Sequence, residues 1–388
     1  MVVQEISTSS SYTCAMADNT GWCWGDNTYA QLGNRTTINA KLPVRVVKND
    51  GTALINVVHI VTSDRGGHTC AISDIDLLWC WGWNGSGQLA TGNLGNSDAV
   101  RVKKNASQTL DAVSAVSLGT EHTCAIVATT VYCWGNSLYG ETGLGTIGTK
   151  TMYATTVTNA NGSLFTGVSE ISAGSRHTCA LKSGNVWCWG LDLQGQLGDD
   201  FKRANQQHPV QVVKEDGTVL SNITHISGGG WHTCALAANS EVWCWGYNEF
   251  GQVGDGTTLE GTIGSYTHPV GRSRANKVLM SPGTPLTGAT DIAASGYSSC
   301  AIISRSVWCW GRNNTGQLGD GTTIDQLYPV QAIMTNGTPL ANVDSLSSNY
   351  QHTCAIINQK ALCWGDNSSG QLGDNTIINK LRAFILGL

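Results

Sequence analysis

The sequence predicts an all-β fold, a seven-bladed β-propeller with four antiparallel strands in each blade. Two observations lead to this prediction. The 14 cysteines form seven regularly spaced pairs, and each pair lies in a unit with four short runs of β-forming residues. Gly, Asn and Asp separate these runs, and no long segment with a 3.6-residue apolar period competes with them. Four strands repeated seven times indicate a propeller rather than a solenoid.

The composition limits the class of protein. Of the 388 residues, 41% are hydrophobic and only 13% are charged, with 47 Gly and 14 Trp. So many large apolar side chains argue against disorder. The length alone would suggest two or three domains, but the repeats predict a single propeller. The net charge is −5, and no basic stripe of the kind that binds nucleic acid is visible. No apolar run approaches membrane-spanning length.

The cysteines define the repeat. The first cysteine of each pair recurs at steps of 54 to 66 residues, at Cys14, Cys70, Cys124, Cys179, Cys234, Cys300 and Cys354. The second follows nine or ten residues later, at Cys23, Cys80, Cys133, Cys188, Cys244, Cys309 and Cys363. The fifth unit shows the four runs most clearly, at 208–213, 223–228, 232–236 and 242–246. Every cysteine therefore belongs to a pair.

The predicted blade boundaries take the run containing Pro-Val as the first strand of each unit. Blades 2 to 7 then occupy 41–90, 98–145, 152–198, 208–254, 268–319 and 328–373. The chain starts at the second run and ends, at 381–386, with a run in the position of the missing strand. Blade 1 is therefore predicted as 1–34 plus 381–388, with the C-terminal strand completing the N-terminal blade and closing the ring.

The repeated motif resembles the repeat of the regulator-of-chromosome-condensation family. The seventh unit shows it as HTC at 352–354 and CWGDNSSGQLGD at 363–374. The likeness covers all seven units, and it implies a seven-bladed propeller. It implies less about activity, because members of this family act in nucleotide exchange, inhibition and ligand binding.

Three interpretations of the cysteine pairs compete: seven disulfides within the blades, buried reduced thiols, and zinc sites that use the His two residues before the first cysteine. Disulfides are favoured because the second cysteine is present in all seven units, and because directly opposed residues of a hairpin lie near the Cα separation that a disulfide requires. A zinc site would need a fourth ligand in each blade. Disulfides at this density indicate an oxidising compartment.

Other repeated residues have structural interpretations. The Trp after the second cysteine, present in every unit, should fill the wedge between neighbouring blades. The His before the first cysteine, present in five units, is interpreted as a hydrogen-bonding element at a strand end rather than a catalytic base. Turn geometry explains the Gly-Asp-Gly-Thr loops better than calcium binding does. No catalytic constellation, cofactor site or metal site is predicted.

Asn-x-Ser/Thr sequons permit glycosylation in a eukaryotic secretory host without establishing it. They occur at Asn34, Asn84, Asn105, Asn161, Asn222, Asn313, Asn336 and Asn367.

Two positions vary strongly between units and are predicted to lie on one face of the ring. The first comprises Ser11, Gly67, Glu121, Arg176, Trp231, Tyr297 and Gln351, and the second comprises Asp26, Trp83, Asn136, Leu191, Tyr247, Arg312 and Asp366. In a repeat protein such positions are free to bind ligands, since the shared positions build the scaffold. The candidate binding residues are Trp231, Tyr247, Phe250, Tyr297, Trp83, Arg176 and Arg312, although these aromatic rings could instead pack against their own loops.

The longest insertion runs from about 257 to 287 and contains Arg272, Arg274 and Lys277. It is interpreted as a loop that either contacts a partner or has no function.

The sequence favours a non-catalytic binding scaffold, extracellular or at the cell surface, whose leader peptide is not part of this chain. A protein or glycan partner is expected and self-assembly is possible, whereas nucleic-acid binding and membrane insertion are not expected. A structural subunit of a surface fibre or coat is one alternative. A guanine-nucleotide exchange factor for a small GTPase is the other, and the paired cysteines disfavour it because it requires a reducing compartment.

Overall fold

Seven four-stranded antiparallel sheets make up the fold in the computed structural model, which describes residues 2–200, 204–258 and 271–387. The innermost strands are β1 (Val3–Thr8), β5 (Val57–Thr62), β9 (Val113–Leu118), β13 (Val168–Ala173), β17 (Ile223–Gly228), β23 (Ala289–Ala294) and β27 (Ser345–Asn349). The second strands are β2 (Tyr12–Ala17), β6 (His68–Ser73), β10 (His122–Val127), β14 (His177–Lys182), β18 (His232–Ala237), β24 (Ser298–Ile303) and β28 (His352–Ile357).

Two further strands complete each blade. The third strands are β3 (Thr20–Gly25), β7 (Leu78–Gly82), β11 (Thr130–Ser137), β15 (Asn185–Gly190), β19 (Val242–Gly246), β25 (Ser306–Gly311) and β29 (Lys360–Gly365). The outer strands are β4 (Ala40–Arg45), β8 (Ser97–Arg101), β12 (Thr149–Thr156), β16 (Gln206–Gln211), β20 (Arg272–Lys277), β26 (Gln326–Gln331) and β30 (Lys380–Ile385). A small hairpin, β21 (Leu279–Ser281) and β22 (Thr284–Pro285), follows the fifth blade. The predicted seven-bladed propeller is confirmed.

The predicted closure by strand exchange is wrong, because every blade is continuous in sequence. The C-terminal strand β30 pairs with β29 of the seventh blade, where Cys363 opposes Phe384. The first blade has its own outer strand, β4, in which Val44 opposes Cys23 of β3. The ring closes instead by packing of β1 against β27 and β28, with a hydrogen bond from the Thr8 amide to Ser347 Oγ at 3.0 Å.

The predicted blade boundaries are therefore displaced by one strand. The blades extend over 3–45, 57–101, 113–156, 168–211, 223–277, 289–331 and 345–385. In the described residues, the strand predicted to open a unit instead ends the preceding blade; it contains Pro-Val in β4, β16 and β26.

The loop before each outer strand explains this arrangement. In the seventh blade the Asn367 side chain accepts a hydrogen bond from the Leu372 amide at 2.9 Å and donates to the Ile378 carbonyl. The backbone N–H of Asn367 in turn donates to Asn379 Oδ1 at 2.9 Å. These bonds fold residues 366–379 back, so that the outer strand β30 lies beside β29, which precedes it in the chain. Pro is compatible with this position, because the outer strand has a free edge.

The seven disulfides connect the second and third strands of each blade. Each pair of cysteines is directly opposed across its hairpin, with Cα atoms 4.0–4.1 Å apart. All 14 cysteine side chains are buried. The disulfide interpretation is confirmed, one bond in each blade.

The tryptophans that follow the second cysteines form the junctions between blades. Trp24, Trp81, Trp134, Trp189, Trp245, Trp310 and Trp364 are completely buried. Each indole N–H donates to a carbonyl of the preceding blade; Trp189, for example, donates to the Glu141 carbonyl at 2.9 Å. Thr178 Oγ1 donates to the same carbonyl at 2.9 Å. The predicted wedge role is confirmed, and the hydrogen bond gives each ring a fixed orientation.

In the part of the chain that the structure describes, no helix is long and apolar enough to span a membrane.

A candidate binding site on the upper face

The two variable positions lie side by side on one face of the ring, here called the upper face. Within each blade, the backbone amide at the second position donates to the carbonyl at the first, at 2.8–3.0 Å; Tyr247 donates to Trp231 and Arg312 to Tyr297 in this way. The loops between first and second strands and between third and outer strands emerge here. The prediction that both series share one face is confirmed.

An aromatic cluster lies on the upper face of blades 5 and 6. The rings of Tyr247, Phe250 and Tyr297 contact one another with centroids 5.5–6.3 Å apart. The Arg312 guanidinium lies over Phe250 at 4.8 Å and over Tyr297 at 5.4 Å. All four side chains are half-buried, so they support one another and still present surface to solvent.

Tyr350 of blade 7 extends this cluster across the centre of the ring. Its ring contacts that of Tyr297 with centroids 5.3 Å apart, and only 6% of the residue is exposed. The Arg65 guanidinium of blade 2 lies 4.6 Å over the Tyr350 ring and donates to its hydroxyl at 3.4 Å. We call Tyr247, Phe250, Tyr297, Tyr350, Arg65 and Arg312 the aromatic–arginine patch.

Beneath Arg65 a polar network crosses the mouth of the central channel. Asp64 is buried and accepts a hydrogen bond from the Ser175 hydroxyl of blade 4. Burial raises the pKa of the Asp64 carboxyl to about 6. Burial likewise raises the pKa of the Tyr350 phenol, which therefore remains protonated. The network joins three non-adjacent blades and supports the patch from below.

A pocket of about 400 Å³ opens beside the patch. Its walls include Arg65, Arg312, Tyr297 and Tyr350, together with the buried carboxyl of Asp366. A pocket of this size accommodates one side chain of a partner or a small polar group.

The other predicted binding residues lie outside the patch. Trp83 contacts the exposed ring of Tyr29, with centroids 5.9 Å apart, and the Arg176 guanidinium lies 5.3 Å over the Tyr139 ring. Trp231 is half-buried beside Tyr247, and its indole N–H has no hydrogen-bond partner among the described residues. The structure therefore brings together four of the seven predicted residues, in a single cluster.

The basic residues assigned to the insertion belong to the outer strand of blade 5 rather than to a loop. Arg272 pairs with Asp255 at 2.7 Å, and Lys277 pairs with Glu241 at 2.7 Å. Arg274 Nε donates to Asp200 Oδ1 at 2.7 Å. The prediction of these cations as loop residues is wrong, and residues 259–270 of the insertion lie outside the described residues.

Three of the eight sequons are incompatible with a glycan in the folded protein. Asn84, Asn313 and Asn367 are completely buried, and their side-chain amides donate to neighbouring loop atoms, as Asn84 Nδ2 does to the Asn93 carbonyl at 2.9 Å. Asn34 is half-buried and accepts from the Asn27 amide at 3.0 Å. The remaining four are exposed, and their glycosylation stays a prediction: Asn105, Asn161, Asn222 and Asn336.

The repeated histidines connect neighbouring blades. His122 Nε2 lies 2.8 Å from Thr178 Oγ1 of the next blade, and His352 Nε2 lies 2.8 Å from Thr13 Oγ1 across the closure. Equivalent bonds are made by His68, His177 and His232. Their interpretation as hydrogen-bonding elements at strand ends is confirmed.

Burial of these histidines makes the fold sensitive to acid. The pKa is lowered by burial to about 3 for His68, His122, His232 and His352, and to about 4 for His177. An unfolded histidine binds a proton near its ordinary pKa of about 6.5. The unfolded chain therefore binds more protons than the folded chain below that pH, and stability falls as the pH decreases from about 6.5 towards the lowered values. Asp64 and Glu141 oppose this trend, since burial raises their pKa values to about 6 and about 7.

The His122→Asn variant should have a shallower dependence of stability on pH. Removing one such histidine should reduce the slope by about 1.4 kcal/mol per pH unit between pH 6 and 4, measured by urea unfolding at a series of pH values. The Thr178→Ala variant is the control, because it removes the hydrogen-bond partner and keeps the titrating ring. An unchanged slope in His122→Asn would contradict this assignment.

Two binding features escaped the sequence prediction, although each has a signal. Tyr350 occupies a position that is small in every other unit, namely Ser10, Gly66, Thr120, Ser175, Gly230 and Gly296. Asp64 and Arg65 lie in the connection between the first and second strands of blade 2, which has five residues where the other blades have two or three. A comparison of connection lengths between units would have found Asp64 and Arg65, and a comparison of residue size at aligned positions would have found Tyr350.

The repeats of this chain match the model described as the regulator of chromosome condensation (RCC1) repeat at residues 19–72, 76–126, 183–236 and 306–356, more than half of the chain. A second model with the same description matches 58–88, 168–196 and 223–252. The chain therefore belongs to the RCC1 repeat family, as the motif indicated.

Relatives of this chain differ widely in length. The ultraviolet-B receptor UVR8 of Arabidopsis thaliana is 29% identical over 330 residues, which cover 84% of this chain and 68% of that protein. The human E3 ubiquitin-protein ligase HERC2 is 25% identical over 359 residues, which cover 91% of this chain but only 7% of that protein.

Solved structures show the same fold. Human WBSCR16 superposes with a TM-score of 0.74 at 19% identity, over 95% of this chain and 93% of that one. Prp20p of Saccharomyces cerevisiae, described with its binding to Gsp1p and histones, also gives 0.74, at 18% identity, over 99% of this chain and 87% of that one. Because differently named proteins share this fold, the fold by itself does not specify the function.

Proposed function

We propose that this protein is a binding module that recognises a protein partner through the aromatic–arginine patch. The observation that carries the proposal is the cluster of half-buried Tyr247, Phe250, Tyr297 and Arg312 at the rim of a rigid ring. Aromatic and arginine side chains dominate the energetic centres of protein interfaces. The disulfides and the channel network hold these side chains in place before binding, which lowers the entropic cost of association.

We further propose that the protein acts in an oxidising compartment, outside the cell or at its surface. Seven disulfides in one domain support this location, because thiols in the cytosol are kept reduced. The family supports a role as a scaffold and specifies no reaction.

Replacing both Tyr247 and Phe250 with Ala should abolish partner binding with little change in melting temperature. Loss of one anchoring ring typically costs about 2 kcal/mol or more, a loss of affinity of about 30-fold. The immobilised protein would capture partners from the extracellular fraction of its source. A captured protein would then be identified, purified and titrated against the wild type and the variant.

The matched control carries Tyr29→Ala and Trp83→Ala, which remove two contacting rings elsewhere on the upper face. It should keep wild-type affinity. Equal binding by the patch variant and the wild type would reject this site. Capture that a glycosidase abolishes would indicate a glycan ligand instead, and light scattering that rises with concentration of the protein alone would indicate self-assembly.

A further inference from the structure

Arg65 and Arg312, the two arginines of the patch, form no ion pair among the described residues. Arg65 and Arg312 line the same pocket, and within the described ranges neither lies within ion-pair distance of an acidic side chain. Elsewhere in the fold the arginines Arg272, Arg274 and Arg305 pair with aspartates. Although burial acts to lower the pKa of Arg65, Tyr350 and the neighbouring Asp64 carboxyl raise it, without an ion pair between Arg65 and Asp64. The pocket therefore contains two positive charges that form no ion pair in the described parts of the chain.

Stacking on aromatic rings fixes both guanidinium groups. Arg65 lies over Tyr350, Tyr350 contacts Tyr297, and Arg312 lies over Tyr297, so the two cations stand at opposite ends of a tyrosine pair. Stacking uses the face of a guanidinium and leaves the N–H groups on its edge available. Arg65 donates one N–H, to Tyr350 at 3.4 Å, and Arg312 donates none to a side chain or carbonyl in the described parts of the chain.

The two nearby carboxylates are already engaged. Asp366 is buried and accepts hydrogen bonds from Gln371 Nε2 at 2.7 Å and from the Ser368 hydroxyl at 2.9 Å. Asp64 is buried and accepts from Ser175. Asp64 bonds within the fold, and Asp366 is held in the pocket wall by Gln371 and Ser368, so neither carboxylate forms an ion pair with Arg65 or Arg312 among the described residues.

We propose that this pocket binds an acidic side chain, Asp or Glu, on an exposed segment of the protein partner. The carboxylate accepts hydrogen bonds from the free N–H groups of the arginines that line the pocket, Arg65 and Arg312, because a guanidinium matches the geometry of two carboxylate oxygens. The tyrosine rings contact the methylene groups of the same side chain. This inference rests on the proposed function and specifies the chemistry of the partner.

The surroundings favour a single acidic side chain over a long polyanion. The pocket of about 400 Å³ fits one side chain, and its walls combine two cations and two aromatic rings with the hydrogen-bonded carboxyl of Asp366. An extended sulfated glycan would need a track of basic residues. The upper face instead carries Glu121 and Glu249 outside the lining of the pocket, and these carboxylates would repel such a chain.

Hexaglutamate labelled with a dye is the probe for this proposal, and hexaglutamine with the same dye is its control. Fluorescence anisotropy would measure binding of both peptides to the wild type and to Arg65→Gln, Arg312→Gln and the double variant. Each substitution should weaken hexaglutamate binding about tenfold, since each removes charge-assisted hydrogen bonds. The matched control is Arg305→Gln, which removes an exposed arginine paired with Asp344 and should bind like the wild type.

Undetectable hexaglutamate binding by the wild type, or unchanged binding by the double variant, would overturn the proposal. So would displacement of hexaglutamate by inorganic phosphate or a heparin fragment at a lower concentration than unlabelled peptide requires. The identified partner separates this inference from the proposed function. If Tyr247→Ala with Phe250→Ala loses the partner while both arginine variants retain it, the binding face stands and the acidic chemistry fails.

Discussion

Reduction of the seven disulfides should leave the protein unfolded at room temperature. Each bond closes a loop of nine or ten residues, and a loop of this length stabilises the folded state by about 2–3 kcal/mol in the chain-entropy model. If additive, seven such contributions amount to about 14–21 kcal/mol, which is comparable to or larger than the total stability of about 5–15 kcal/mol that is typical of a folded domain. The bonds therefore determine whether the ring forms at all.

The experiment must reduce disulfides that are inaccessible to solvent in the folded protein. Because all the cysteines are buried, a reductant attacks them only after unfolding. The protein should be unfolded in urea, reduced, alkylated and returned to buffer, with a sample taken through the same steps without reductant. Far-ultraviolet circular dichroism should show recovery of the β-sheet signal only in the sample that keeps its disulfides. A reduced sample that regains the native spectrum and melting temperature would contradict this expectation and remove the main support for an oxidising location.

Replacing Trp189 with Ala should be the most damaging single substitution considered for this ring. The side chain is completely buried between blades 3 and 4, and Phe165 contacts its ring edge with centroids 5.9 Å apart. Truncating such a ring leaves a cavity that the neighbouring sheets cannot fill, at a cost of about 3–5 kcal/mol. Urea unfolding would measure this as a decrease in the free energy of unfolding.

Two matched variants separate the causes of this loss. Trp189→Phe keeps most of the ring volume and removes the N–H donor, and it should cost only about 1–2 kcal/mol because the Glu141 carbonyl still accepts from Thr178. Trp187→Ala removes a half-buried ring two residues away and should cost less than about 2 kcal/mol. If Trp187→Ala were as damaging as Trp189→Ala, the wedge would not be the main source of stability at this junction.

The candidate site was only partly predictable. Tyr247, Phe250, Tyr297 and Arg312 could be grouped because hairpin geometry brings the end of one strand to the start of its neighbour. The same reasoning grouped Trp83 and Arg176 with them, although these lie in other blades and contact Tyr29 and Tyr139 instead. Position along a repeat specifies the face of the ring and not the distance between blades.

Contacts across the channel mouth could not be predicted from the sequence for a similar reason. Tyr350 of blade 7 meets Arg65 of blade 2 and Tyr297 of blade 6, a combination that depends on the curvature of the closed ring. Once the ring exists, an extra pair of residues in one connection and a large residue at a normally small position are enough to fill the mouth.

What the sequence by itself determined was everything that recurs: seven units, four strands in each, the paired cysteines and the tryptophan wedge. These follow from residue spacing, because each blade repeats the same local chemistry. Only the tertiary structure decided where one blade ends and the next begins. In blades 1 to 6 a loop joins the outer strand to the strand before it and another joins it to the strand after it, so spacing alone does not decide the pairing. In blade 7 the folded loop held by Asn367 places β30 beside β29. The same holds for the patch, since only closure of the ring brings side chains from blades 2, 5, 6 and 7 to one place.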